Sequence, residues 1–146
     1  MLHKTYKTKG MKTKLLALML LMAFPFIVSS CSKDDSNDFN YPMETLYGTW
    51  EGIGIYNDGE WIDPTSYWLY EDLKFSITFY EDGKYYGKGF FGTGNGTYKT
   101  KGNTITTYVD GEIYFTYEVK SLNTTNAEVT MFDNSGDSMQ LRLRKK

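Results

Sequence analysis

The chain has 146 residues, with 16 Lys and Arg against 18 Asp and Glu and a formal net charge of −2. The first 30 residues hold five lysines and no acid, so everything after them is clearly acidic; this argues against nucleic acid, whose binding needs a basic surface to displace counterions from phosphates. A single cysteine excludes an internal disulfide, and the only histidine, His3, lies in the leader, so the remainder has no imidazole base and no zinc site built from Cys and His.

Lys12 and Lys14 precede an apolar stretch from Leu15 to Val28 that only Pro25 interrupts. It falls short of the about 20 residues needed to cross a bilayer as a helix. A positive segment, a short apolar segment and then small residues form the layout of a secretory signal peptide. The four residues Val28-Ser29-Ser30-Cys31 resemble the lipobox of bacterial lipoproteins. That resemblance implies cleavage before Cys31 and acylation of its sulfur, with each buried methylene adding about 0.8 kcal/mol to membrane anchoring. Ser32-Lys33-Asp34-Asp35 and Asp38 look like a surface-export signal behind the lipidated cysteine. Low hydrophobicity and clustered charge also read as a flexible acidic tether. The expected organisation is a signal peptide over 1–30, a lipidated cysteine and tether over 31–45, and one domain over 46–146. The implied location is the outer membrane, lipid-anchored, at the cell surface or on the periplasmic face.

From Tyr47 the texture is uniform: β-branched and aromatic residues in short runs, separated by turn pairs such as Asp58-Gly59, Asp82-Gly83, Asn95-Gly96 and Asp110-Gly111. These pairs tolerate the positive φ of tight hairpins. Eight strands are predicted, over 47–57, 73–81, 84–91, 94–101, 103–109, 112–121, 126–132 and 138–145, because the runs alternate as half-buried strands do. Phe75, Ile77 and Phe79 share one face; Ile113, Phe115, Tyr117 and Val119 share another; Met139, Leu141 and Leu143 interleave with Gln140, Arg142 and Arg144. Asp63 as N-cap and Pro64 at the first helical position predict one short helical turn through Tyr70. Short turns between successive antiparallel strands make a meander, and eight such strands close most economically into an up-and-down barrel that leaves no free edge.

LYGTWEG at 46–52, GTYKTKGNTITTY at 96–108, FTYEVKSLNTTNAEVTM at 115–131 and the closing LRLRKK are similar to the lipocalin-like domains of small bacterial lipoproteins. The fold expected is therefore an all-β, eight-stranded lipocalin-like barrel. The resemblance implies a calyx with one mouth and a small apolar or amphipathic ligand, with Gly48 and Trp50 forming the barrel-end motif. It also makes Arg142 or Arg144 the stacking partner of Trp50. An interior of eight strands is only just wide enough for side chains or one small ligand, so a hollow and a filled barrel both fit.

Trp61, Tyr67, Trp68 and Tyr70 lie in the longest connection and are the candidate ligand contacts, since aromatic faces stack on planar ligands and binding residues concentrate on loops. Their alternative role is to roof the barrel. Tyr80, Tyr85, Tyr86, Phe90 and Phe91 straddle a hairpin, and alternation sends Tyr85 and Tyr86 to opposite faces. The nearby glycines, including Gly87, Gly92, Gly94 and Gly96, read as bending sites. Asp58, Glu60 and Asp63, or Asp133 and Asp137, read as solvated turn carboxylates. No catalytic residue, metal ligand or cofactor is assigned, and a non-enzymatic binding protein is expected. Two alternatives remain: a filled barrel serving as an interaction subunit for a surface protein partner, and a carbohydrate-binding module.

Overall fold

The computed structural model describes residues 37–146; the leader and Cys31 lie outside the described residues. In chain order the elements are β1 (Asn37–Phe39), α1 (Met43–Leu46), β2 (Gly48–Asn57), β3 (Glu60–Ile62), a 3₁₀ helix (Trp68–Leu73), β4 (Phe75–Phe79), β5 (Lys84–Gly89), β6 (Gly94–Gly102), β7 (Thr104–Val109), β8 (Glu112–Leu122), β9 (Asn126–Phe132) and β10 (Ser138–Lys145). Strands β2 and β4 to β10 pair antiparallel with their sequence neighbours, and β10 returns to β2. The fold is thus the closed eight-stranded up-and-down barrel expected. Two turns set register directly: Asp58-Gly59 and Asp110-Gly111 all have positive φ, at 48°, 87°, 52° and 81°. That is the geometry of the two-residue hairpin that matches strand twist, and it pairs Asn57 with Glu60 and Val109 with Glu112.

The inner face buries Ile55, Ile77, Phe79, Tyr98, Val119, Val129 and Leu141 among others. Each large apolar side chain so buried contributes about 1.5–3 kcal/mol. Phe79 and Tyr98 meet edge to face at 4.9 Å. The half of the barrel around Trp50 is tightly filled, with a void of only about 20 Å³ between Leu46, Trp50 and Ile77.

One end is closed by α1. The last carbonyls of a helix have no partner within it, and here two side chains supply them. The indole N–H of Trp50, which is 1% exposed, donates to the Leu46 carbonyl at 2.8 Å. Lys145 donates to the Thr45 carbonyl at 2.9 Å, with its ammonium 5.1 Å from the centre of the Trp50 ring. The cation at Trp50 is therefore Lys145, and not Arg142 or Arg144 as expected. Strand alternation is the reason: Leu141 and Leu143 point inward, and Lys145, in register with Trp50, continues their face. Arg142 and Arg144 point outward and pair with Glu128 and Glu51, each at 3.2 Å.

Among the described residues, β1 and most of α1 precede Leu46, where the sequence places the start of the domain. Strand β1 runs parallel to β6 and pairs with Thr100 to Gly102, whereas β5 pairs with β6 only over Gly94 to Thr97. β1 thus covers backbone that β5 leaves free. Neither β1 nor α1 is long enough to show a period in the sequence.

Candidate functional site

The opposite end carries the connections 58–74, 90–93, 110–111 and 133–137, and there the barrel opens into a cavity of about 180 Å³. Its origin is a local lack of side chains. Gly87 pairs with the buried Ile77 on one side and with Gly94 on the other, so both glycines belong to the inner face. A Cβ at Gly87 would meet its nearest atoms at 3.7 to 4.0 Å, and one at Gly94 would meet nothing within 4 Å. The two positions leave the β5–β6 wall bare while aromatic rings build the rest. Phe75 and Phe91 pack edge to face at 4.8 Å, Phe115 lies 6.2 Å from Phe91, and Tyr85, Tyr114 and Tyr117 complete the lining.

A bulge in β8 aims two of these rings. Thr106 opposes Thr116 and Tyr108 opposes Ile113, so β8 advances three residues while β7 advances two. An extra residue leaves ladder groups unpaired, and Thr107 satisfies them. Its hydroxyl, on a residue with 0% exposure, donates to the Phe115 carbonyl at 3.0 Å and accepts the Phe115 N–H at 3.1 Å. As a result Tyr114 and Phe115, adjacent in sequence, both line the cavity. The expected shared face of Ile113, Phe115, Tyr117 and Val119 is broken at its first member, since Ile113 is exposed beside Tyr108. Tyr114 donates to the Phe91 carbonyl at 2.7 Å and so ties the 90–93 turn to β8. Gly92 permits this approach: its φ is +108°, and a Cβ there would overlap the Tyr114 hydroxyl.

Burial pushes the Tyr85 and Tyr117 hydroxyls above the usual phenolic range. Both stay protonated at physiological pH and can donate to a ligand. The site therefore presents apolar rings with a few neutral hydroxyls, the composition of a small-molecule pocket. Among the described residues, no three His, Cys, Asp or Glu side chains come together as a metal site.

The four predicted contacts fall elsewhere. Trp61 lies against the outer face over Gly54, 5.2 Å from Tyr56, with the Arg142 guanidinium carbon 3.8 Å from its ring centre. Tyr67, Trp68 and Tyr70 sit at the mouth end but do not line the cavity; Trp68 is 76% exposed. The helical turn predicted from Pro64 is also displaced. Asp63 instead accepts the Thr65 N–H at 2.8 Å in a local turn, Tyr67 is extended, and the 3₁₀ helix starts at Trp68. Tyr85 faces inward and Tyr86 pairs with Thr78 on the outer face, as alternation requires. Phe75, Tyr114, Phe115 and Tyr117 were not singled out as ligand contacts from the sequence. Alternation marks Phe75 and Tyr117 as inward-facing, while the bare wall at Gly87 and Gly94 follows only from strand register.

No known family model matches the chain, and no curated protein matches it.

Proposed function

We propose that this chain is a lipid-anchored outer-membrane protein, held through Cys31 and displayed at the cell surface. Its lipocalin-like barrel binds one small apolar or amphipathic ligand and performs no chemistry on it. The observation that carries the binding reading is the cavity at the mouth, hollowed by Gly87 and Gly94 and walled by aromatic rings. At about 180 Å³ it lies below the roughly 300–1,000 Å³ typical of drug-sized ligands. It suits a single ring or a short alkyl chain, with any polar group left at the mouth. The anchoring half of the proposal rests on Val28-Ser29-Ser30-Cys31 and the acidic residues behind it.

Native mass spectrometry of the protein purified from its own host tests the binding half. A small molecule is expected on the wild type and absent from Gly87→Leu, whose side chain fills the cavity. An identical mass difference on both proteins would refute the assignment of the site. For the anchor, Cys31→Ala should move the protein out of the membrane fraction; equal membrane retention would refute lipidation.

A second reading has one observation in its favour. Tyr67, Trp68 and Leu69 are exposed together at the mouth end, and exposed apolar groups of this kind mark contact surfaces. In that reading the barrel is an interaction subunit for a surface protein, and Trp68→Ala would abolish capture of the partner without affecting the cavity.

A further inference from the structure

The cavity is neutral but its surroundings are not. The segments around the mouth, 58–74, 90–93, 110–112 and 133–137, contain nine Asp or Glu and a single lysine, Lys74. Lys74 is already engaged by Glu71 at 3.4 Å. Lys88 and Ser76 both border the cavity, but they are register partners between the inward Phe75 and Ile77, so the Lys88 side chain leaves from the outer face. Two of the acids are spent on turns: Asp63 accepts from Thr65, and Asp133 from Ser135 and Asp137. Glu112 is placed differently. It is the register partner of Val109, whose side chain lines the cavity, and cross-strand partners share a face. Its side chain therefore leaves the strand on the face that Val109 shares with the cavity, at the exposed rim beside the Asp110-Gly111 turn.

We infer that the ligand is a small cationic amphiphile: an alkyl or aryl amine whose apolar part enters between Phe75, Phe91 and Phe115 and whose ammonium stays at the mouth beside Glu112. This inference rests on the binding proposed above and specifies its ligand class. An acidic rim over low-dielectric walls raises the local concentration of cations and lowers that of anions. A fatty carboxylate of the same chain length would meet repulsion from the rim and, among the described residues, find no inner-face cation at the mouth to offset it; Lys145 lies at the closed end against Trp50 and the Thr45 carbonyl. Tyr85 and Tyr117 keep their protons and so add no charge of either sign to the cavity.

Three probes of one chain length separate the terms: hexylamine, hexan-1-ol and hexanoate, each titrated into the isotopically labelled protein and followed by amide NMR shifts. Hexylamine should bind more tightly than hexanol, and at least about fivefold more tightly than hexanoate, the scale expected of partly screened surface charges. In 1 M salt, where the screening length falls to about 3 Å, the three should converge. Glu112→Gln should weaken hexylamine and leave hexanol unchanged. Equal affinities at low salt, or a preference for hexanoate, would overturn the inference while leaving the cavity as a binding site. If no probe binds, or if all bind equally to Gly87→Leu, the binding proposal itself fails and the inference with it.

Discussion

Thr107→Val exchanges a hydroxyl for a methyl at nearly constant volume in a fully buried position. The hydroxyl makes both hydrogen bonds that close the β8 bulge, to the carbonyl and the N–H of Phe115. Each made bond contributes about 1 kcal/mol net, but a buried group left without a partner costs about 1–3 kcal/mol. With two groups orphaned and some relief from the added methyl, the loss should be about 2–4 kcal/mol. For a domain of this size that is roughly 10–20 °C in Tm. Urea unfolding followed by circular dichroism measures it, with an unchanged m-value as evidence that the folded and unfolded ensembles are otherwise alike. Thr107→Ser keeps the hydroxyl and sheds a methyl, so it should cost only about 1 kcal/mol. A Thr107→Val protein within about 0.5 kcal/mol of wild type, or a serine variant as damaged as the valine one, would refute the role given to the hydroxyl.

The closed end, the outer face and the buried phenols yield further expectations. Trp50→Phe removes the donor to the Leu46 carbonyl and leaves a void, and should cost about 2–4 kcal/mol in denaturant melts; less than about 1 kcal/mol would mean that α1 is not held by this bond. Arg142→Lys keeps the charge but not the planar group stacked on Trp61, so a loss of about 0.5–1 kcal/mol is expected with a change in tryptophan emission; unchanged emission would contradict the stacking. Burial raises the Tyr98 hydroxyl to about 12, and the hydroxyl donates to the Tyr80 carbonyl at 2.6 Å. Above pH 10 the unfolded chain gives up this proton while the native state keeps it, so the stabilisation is complete below pH 10 and is lost as pH rises toward 12. Tyrosinate absorbance and urea melts across that window should show the decline, and Tyr98→Phe should flatten it. Stability that holds level to pH 12 in the wild type would contradict this.

The strand order was legible because nearly every strand is half-buried. Phe75, Ile77 and Phe79, and likewise Leu141 and Leu143, alternate with polar residues and face the core. Alternation fails where the backbone departs from a regular ladder. The β8 bulge turns Tyr114 toward the mouth and Ile113 away, and no residue in EIYF marks the position of the extra residue. β1 and α1 are too short to show a pattern, and their places depend on contacts distant in sequence: Thr100 to Gly102 for the first, Trp50 and Lys145 for the second. Trp61, Tyr67, Trp68 and Tyr70 stand out in the sequence but lie apart from the cavity, for a related reason. Aromatic side chains drew attention to Trp61 and Trp68, whereas the cavity exists where side chains are missing, at Gly87 and Gly94. In the sequence those glycines read only as bending sites. Their facing positions across β5 and β6 emerge from the register. Trp61 is drawn to the outer face because the β2–β3 hairpin folds it over Gly54, where Arg142 covers it.

The barrel is hollow at its mouth because Gly87 places no side chain there. An enclosed apolar cavity of about 150 Å³ accepts benzene, and benzene-induced amide shifts on wild type and Gly87→Leu show whether this open one does. Shifts are expected at Gly87, Gly94, Val109 and Phe115 in the wild type, with none at Trp50 or Val129 in the filled half and loss of the response in Gly87→Leu with the fold intact. No response in the wild type, or an undiminished response in the variant, would contradict a mouth hollowed by Gly87.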